Sequence, residues 1–162
     1  MDLTVERVRE LCAYNPSTGA LTWRVSKGAA KAGSPVGGTH RVKGYGEACI
    51  DGNYVQTHRL IWFYIYGEWP KGEIDHRNGI ADDNSQSNLR DVPIHVNRQN
   101  VRKATNKKPG GLLGAHKTRS GKWQAAICVK RKQIHLGLFP TPEAAHAAYL
   151  TAKRSMHEGC TI

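Results

Sequence analysis

The sequence lacks any long apolar run: its longest strongly apolar stretch, residues 60–66, falls far short of the roughly 20 residues that cross a bilayer. The residues Met1-Asp2-Leu3-Thr4-Val5-Glu6 hold neither a basic stretch nor an apolar core, so they do not read as a signal peptide. Cys12, Cys49, Cys128 and Cys160 stand far apart with no Cys-x-x-Cys pair, which argues against a zinc ribbon or knuckle. No structural zinc is therefore expected. Together these absences predict a reduced, cytoplasmic protein without a membrane partner. There is no internal repeat. With 162 residues, 39% of them hydrophobic, the chain can form one ordinary domain or two small ones.

Acidic residues are scarce in one half only. Residues 1–97 carry 11 Lys and Arg against 11 Asp and Glu, whereas residues 98–162 carry 13 Lys and Arg against Glu143 and Glu158 alone. The formal net charge of +11 thus lies entirely in the last 65 residues. Such a concentration repels itself without a counter-charge, which predicts a neutral body joined to an anion-seeking module. Charge alone puts nucleic acid first and an anionic membrane second, and nucleic acid is the partner expected here.

Hydrophobic spacing predicts a short amphipathic helix over 4–13 and a strand over 21–25. Between them and the next strands lies a Gly/Ala/Lys-rich loop, residues 26–40. Its cations, with Arg41 and Lys43 beyond it, either lengthen a nucleic-acid footprint or simply decorate a long loop. Asp51-Gly52-Asn53 between alternating residues predicts a hairpin of 44–50 with 54–57, and residues 58–66 a buried helix. Residues 77–87 are too hydrophilic for a core, and their Asp and Asn suit tight turns and ion sites. Pro93 suits the first turn of a helix running to about residue 102. Residues 104–111 contain no apolar side chain larger than alanine and read as a linker between domains spanning 1–103 and 112–162. Three strands (112–117, 122–130, 133–139) and an alanine-rich helix to about residue 157 follow.

Ile74-Asp75-His76-Arg77-Asn78-Gly79, then Asn84, Ser87-Asn88-Leu89-Arg90 and His95-Val96-Asn97, resemble the HNH nucleases and their ββα-metal site. The lead-in His58-Arg59-Leu60-Ile61-Trp62 and Gly67-Glu68-Trp69-Pro70 is similar to that family's as well. The resemblance implies His76 as general base, since a neutral imidazole accepts a proton near pH 7. It implies Asp75 and Asn97 as oxygen ligands of a metal, and Asn88 as a bridge across the loop that keeps His76 aimed. One carboxylate and one amide oxygen suit Mg²⁺ or Mn²⁺ better than Zn²⁺. Asn97 stands where the family's name has its last His, a variation similar to the phage and intron-borne homing branch. His95 is a reserve ligand.

Gly114-Ala115-His116, the run Gly121 to Ile127, Leu136-Gly137-Leu138-Phe139 and the run Pro142 to Tyr149 resemble the plant-type apetala/ethylene-response-factor DNA-binding domain. That resemblance implies a three-stranded antiparallel sheet packed on one helix and laid into the major groove. Alternation separately turns Trp123, Ala125, Ile127 and Val129 toward the helix, with Ile134, Leu136 and Leu138. Lys122, Gln124, Lys130, Gln133 and His135 are then left outward with His116, and Lys117, Arg119, Arg131 and Lys132 lie at the turns, near phosphates. Ala126 and Cys128 stand where plant members place Glu and Arg, so the plant target sequence does not carry over.

The expected fold is α+β, a ββα-metal nuclease domain followed by the sheet-on-helix module. The expected function is site-directed, homing-type cleavage of double-stranded DNA by a monomer in the bacterial host of a phage or mobile element. A nick is the simpler product, and a double-strand break would need a transient dimer. A DNA-binding regulator with an inactive nuclease remnant, and an RNA-directed protein, are the rivals.

Overall fold

Thr4 opens helix α1 (Val5–Leu11), its hydroxyl accepting the Arg7 N–H at 3.2 Å. The helix does not run to residue 13 as its spacing predicts. Cys12 and Ala13 instead pair with Trp23 and Thr22 in a hairpin of β1 (Cys12–Tyr14) and β2 (Leu21–Trp23), because that ladder satisfies backbone groups that a last helical turn would leave open. The computed structural model describes residues 3–37, 41–42, 45–102 and 111–162. Lys43 and all of the predicted linker but Gly111 lie outside the described residues.

A second sheet orders β3 (Arg41–Val42), β4 (Tyr45–Ile50) and β5 (Asn53–Gln56), with Ile50 opposite Asn53 across the predicted Asp51-Gly52 turn. Helix α2 (Thr57–Tyr66) follows at once, with Leu60 and Ile61 fully buried against Val8, Ile50 and Ile74. Gly67 ends it in the left-handed region, and the Trp69 ring stacks on Phe63 at 4.1 Å, turning the chain back. Strands β6 (Glu73–His76) and β7 (Leu89–Val92) then pair antiparallel.

The helix expected over 93–102 is shorter and broken into α3 (Ile94–Asn97) and a 3₁₀ turn, Arg98–Asn100. The chain divides into two compact units, one ending at Ile94 and the other beginning at His95. Residues 95–102 of the predicted 1–103 domain therefore cluster with the carboxy-terminal residues.

In that second unit the strands lie in the order β10 (Lys132–Phe139), β9 (Trp123–Val129), β8 (Ala115–Lys117), with α4 (Pro142–Met156) against them. Ala145 and Ala148 pack on Ala115 and Ala125, and such small contacts let helix and sheet approach closely. Alternation assigns the two faces of β9, but on β10 it holds only as far as Leu136, which packs on the core. A bulge between His135 and Gly137 shifts the register and reverses the parity. Gly137, at φ +136°, permits it. Leu138, predicted inward, consequently pairs with Gln124 and is 53% exposed, while Phe139 pairs with Trp123 in the core. Ile134, opposite Ile127, is 36% exposed.

Lys130 and Arg131 make the two-residue turn between β9 and β10, at φ +48° and +66°. Such turns favour Asn-Gly, because other side chains are strained in the left-handed region. The double substitution Lys130→Asn with Arg131→Gly is expected to raise stability by about 1 kcal/mol, read as a higher urea midpoint at an unchanged slope.

Candidate active site

The β6–β7 register sets Asp75 opposite Arg90 and His76 opposite Leu89. Asp75 is 5% exposed, and Arg90 reaches it through Nε at 2.8 Å and Nη2 at 2.6 Å, both on Oδ2. The neighbouring Asp91 accepts the Lys71 and Gly72 N–H groups at 2.7 Å each, fixing the entry to β6. From α2, Arg59 donates to the Gly72 carbonyl at 3.0 Å and so ties the same entry to the helix. The lead-in His58-Arg59-Leu60 thus divides its work: Leu60 anchors the core, Arg59 holds the start of β6, and His58 meets its end.

His76 is the last residue of β6 and is 4% exposed. Its ring lies in an aromatic cluster, stacked with Tyr45 at 5.9 Å and edge-on to His58 at 5.6 Å, with Tyr45 and His58 themselves 4.6 Å apart. Its Nε2 stands 3.1 Å from Asn84 Oδ1. A carbonyl oxygen only accepts, so Nε2 carries the proton and Nδ1 is the basic nitrogen of the neutral ring. Burial, and then the nearby His76 and Arg59, push His58 down to about 4, so the second imidazole of the cluster is uncharged at neutral pH.

The polar stretch between the strands is a bonded loop. Asn88 accepts the Asn78 N–H at 2.9 Å and donates to the Asp83 carbonyl at 2.6 Å, spanning it from side to side. Asp83, one of the acidic residues of this stretch, accepts from the Ser85 hydroxyl at 2.7 Å and from Asn78 at 2.6 Å. Those bonds, the Ser85 ones first, hold its carboxyl below the usual range. The first hairpin braces the loop from outside, Tyr14 donating to the Asn84 carbonyl at 2.9 Å and Gln86 donating its N–H to Pro16. A cavity of about 160 Å³, lined in part by Thr57, His58, Asp82 and Asn84, opens beside the ring cluster.

Asn97 is the last residue of α3, half-buried, in the second unit. His95 lies 3.4 Å from Glu158. Among the described residues no three His, Cys, Asp or Glu side chains gather to hold a metal ion. The donors that the sequence nominates, the Asp75 carboxylate and the Asn97 amide oxygen, are hard oxygens. That chemistry fits Mg²⁺ or Mn²⁺, ions that keep several waters and need few protein ligands.

In the carboxy-terminal unit, His116, Gln124, Gln133 and His135 share the sheet face turned from α4, and all but the half-buried Gln124 are exposed. Lys117 and Lys132 fall on the opposite parity but at strand ends, exposed. Arg119, Lys122, Lys130 and Arg131 are exposed in or beside the turns. Tyr45, His58 and Arg90 form the surroundings of Asp75 and His76, yet sequence gave them no role. His58 and Arg90 at least lay inside the motifs. Nothing near Tyr45 in the sequence marks it, since only β4 pairing and α2 packing bring it to His76.

Residues 55–102 match the family model described as HNH endonuclease. The matched stretch holds α2, β6, β7 and α3, and with them Asp75, His76, Asn88 and Asn97. It supports a nuclease, a hydrolase with DNA as its substrate, and HNH nucleases generally use divalent metal ions. No curated protein and no solved structure matches the chain. Among the described residues no helix is long and apolar enough to cross a membrane.

The depressed His58 has a measurable consequence. Between its ordinary value of 6.5 and its folded value of about 4, the unfolded chain takes up a proton that the folded chain refuses. Its effect is absent above pH 6.5 and destabilises progressively as the pH falls, by about 2 kcal/mol at pH 5. Denaturant midpoints at pH 7 and pH 5 should show that loss, and His58→Phe should remove about that much of the difference.

Proposed function

We propose that the chain is a metal-dependent, homing-type DNA endonuclease whose carboxy-terminal sheet locates the site. The observation that carries this reading is His76 at the end of β6, buried among rings, with Nε2 committed to Asn84 and Asp75 directly before it. With the proton on Nε2, Nδ1 is the ring nitrogen that would accept one from the attacking water, and the Tyr45 and His58 rings pack against the imidazole. Asp75 and Asn97 are each read as an oxygen donor that would ligate the cation, and the Arg90 guanidinium orients the Asp75 carboxylate. When bound, a divalent ion stabilises charge on the phosphorane and on the departing oxygen. Asn88 acts through the loop, holding its two limbs together so that Asn84 stays against His76.

The outward sheet face, with His116, Gln124, Gln133 and His135, is the major-groove reader in this proposal, and the bulge adds Leu138, an apolar group suited to a thymine methyl. Lys117, Arg119, Lys122, Lys130, Arg131 and Lys132 sit at its margins as phosphate contacts. A strained turn made of Lys130 and Arg131, where Asn-Gly would be relaxed, fits a site kept for charge rather than for stability. One such active site per monomer gives a nick, within the cytoplasm of a bacterium hosting a phage or mobile element.

Supercoiled plasmid carrying DNA from the protein's own locus tests the chemistry, incubated with Mg²⁺, Mn²⁺ or EDTA. Wild type should relax it only with metal, and His76→Ala should leave it intact while binding DNA almost as tightly. Binding without cleavage by wild type would favour a DNA-binding regulator instead. For the sheet, Lys130→Ala or Arg131→Ala should each lower the slope of log affinity against log salt by about one unit. An unchanged slope would take that cation off the interface.

A further inference from the structure

Residues 96–102 are bonded along their length to the last turn of α4 and the tail that follows it, all within the carboxy-terminal unit. The Gly159 N–H donates to Gln99 Oε1 at 2.9 Å. The Thr161 hydroxyl accepts from Arg102 Nη2 at 2.8 Å and donates to Asn100 Oδ1, while the Thr161 carbonyl takes the same guanidinium at 3.1 Å. Lys153, 1% exposed, donates its ammonium to the Val101 carbonyl, and burial lowers its affinity for the proton. A charged side chain buried to that degree is costly unless the bond it makes is needed. At Gly159 the fit is closest: a Cβ there would lie 2.1 Å from the Val96 carbonyl oxygen and 3.0 Å from Gln99 Cβ. The tail is itself tied to the reading sheet, His157 Nε2 donating to the Cys128 carbonyl of β9 at 2.9 Å.

Asn97 sits between the contact points at Val96 and Gln99. Its helix has four residues plus a three-residue 3₁₀ turn, too short to hold its shape by its own hydrogen bonds. We infer that the tail, residues 157–161, is a positioning element for the candidate ligand Asn97, fixing the backbone on both sides of it. The inference rests on the reading of Asn97 as a metal ligand. The tail's residues touch neither substrate nor cation in this account. They act through the helix that bears Asn97, as supporting groups do around metal ligands.

The test compares full-length wild type, Asn97→Ala, Gly159→Ala, Thr161→Val and Thr161→Ser. It uses three readouts: DNA affinity in EDTA, amide exchange over residues 94–102, and single-turnover cleavage against Mg²⁺ concentration. Gly159→Ala and Thr161→Val should speed exchange over 94–102 and keep DNA affinity within about twofold. They should also need about tenfold more Mg²⁺ for half-maximal rate, while Thr161→Ser, which retains the hydroxyl, behaves as wild type. Faster exchange with an unchanged Mg²⁺ requirement would overturn the inference, and so would a loss of DNA affinity in step with the loss of cleavage. If wild type does not cleave, or Asn97→Ala cleaves with an unaltered Mg²⁺ requirement, the underlying reading of Asn97 falls and the inference with it. The Asn97→Ala control separates that failure from a failure at the tail alone. Two variants of different kind, one steric and one isosteric, keep the test open should either fail to fold.

Discussion

In the first unit the buried Asp75 carboxylate meets the Arg90 guanidinium, and much of the local architecture follows from that pairing. Burying either charge alone costs several kcal/mol, so the two must meet. They sit directly opposite each other across β6 and β7, and a slip of one residue would put the two side chains on opposite faces. The pair therefore locks the register. With the register locked, His76 falls on the other face at the last position of β6, toward α2 and β4, and the loop begins at the next residue.

Everything around His76 then serves to hold one ring still. Tyr45 and His58 bracket its faces and edge, Asn84 takes its Nε2–H, and the loop that carries Asn84 is closed by Asn88 and braced by Tyr14 and Pro16 of the first hairpin. His58 is kept uncharged by the same burial that packs it. The amino-terminal residues, which carry no motif, thus contribute by propping the loop from outside.

The carboxy-terminal unit solves a different problem, presenting charge without losing its fold. Its core is small, built on alanines of α4 against alanines of β8 and β9, with His116, Gln124, Gln133 and His135 on the outer sheet face and the cations at its turns and strand ends. Lys130 and Arg131 occupy backbone positions that suit neither, and one bulge pushes Leu138 outward. Both features spend stability on what the outer face displays.

Sequence alone determined what local rules control. The charge division at residue 97, the Asp51-Gly52 hairpin, the Pro93 helix start and the alanine helix all follow from composition, turn chemistry or periodicity within a few residues. The order of Asp75, His76, Asn88 and Asn97 was legible because motif residues keep their spacing along the chain. Tertiary structure decided what depends on partners distant in sequence. Cys12 and Ala13 became strand because β2 was there to pair with them. Leu138 turned outward because a bulge, invisible to alternation, reversed its parity. Tyr45 reached His76 only through the packing of β4 on α2. Residues 95–102 joined the carboxy-terminal residues because Gly159, Thr161 and Lys153 bond them there, and no local pattern encodes contacts made some sixty residues apart.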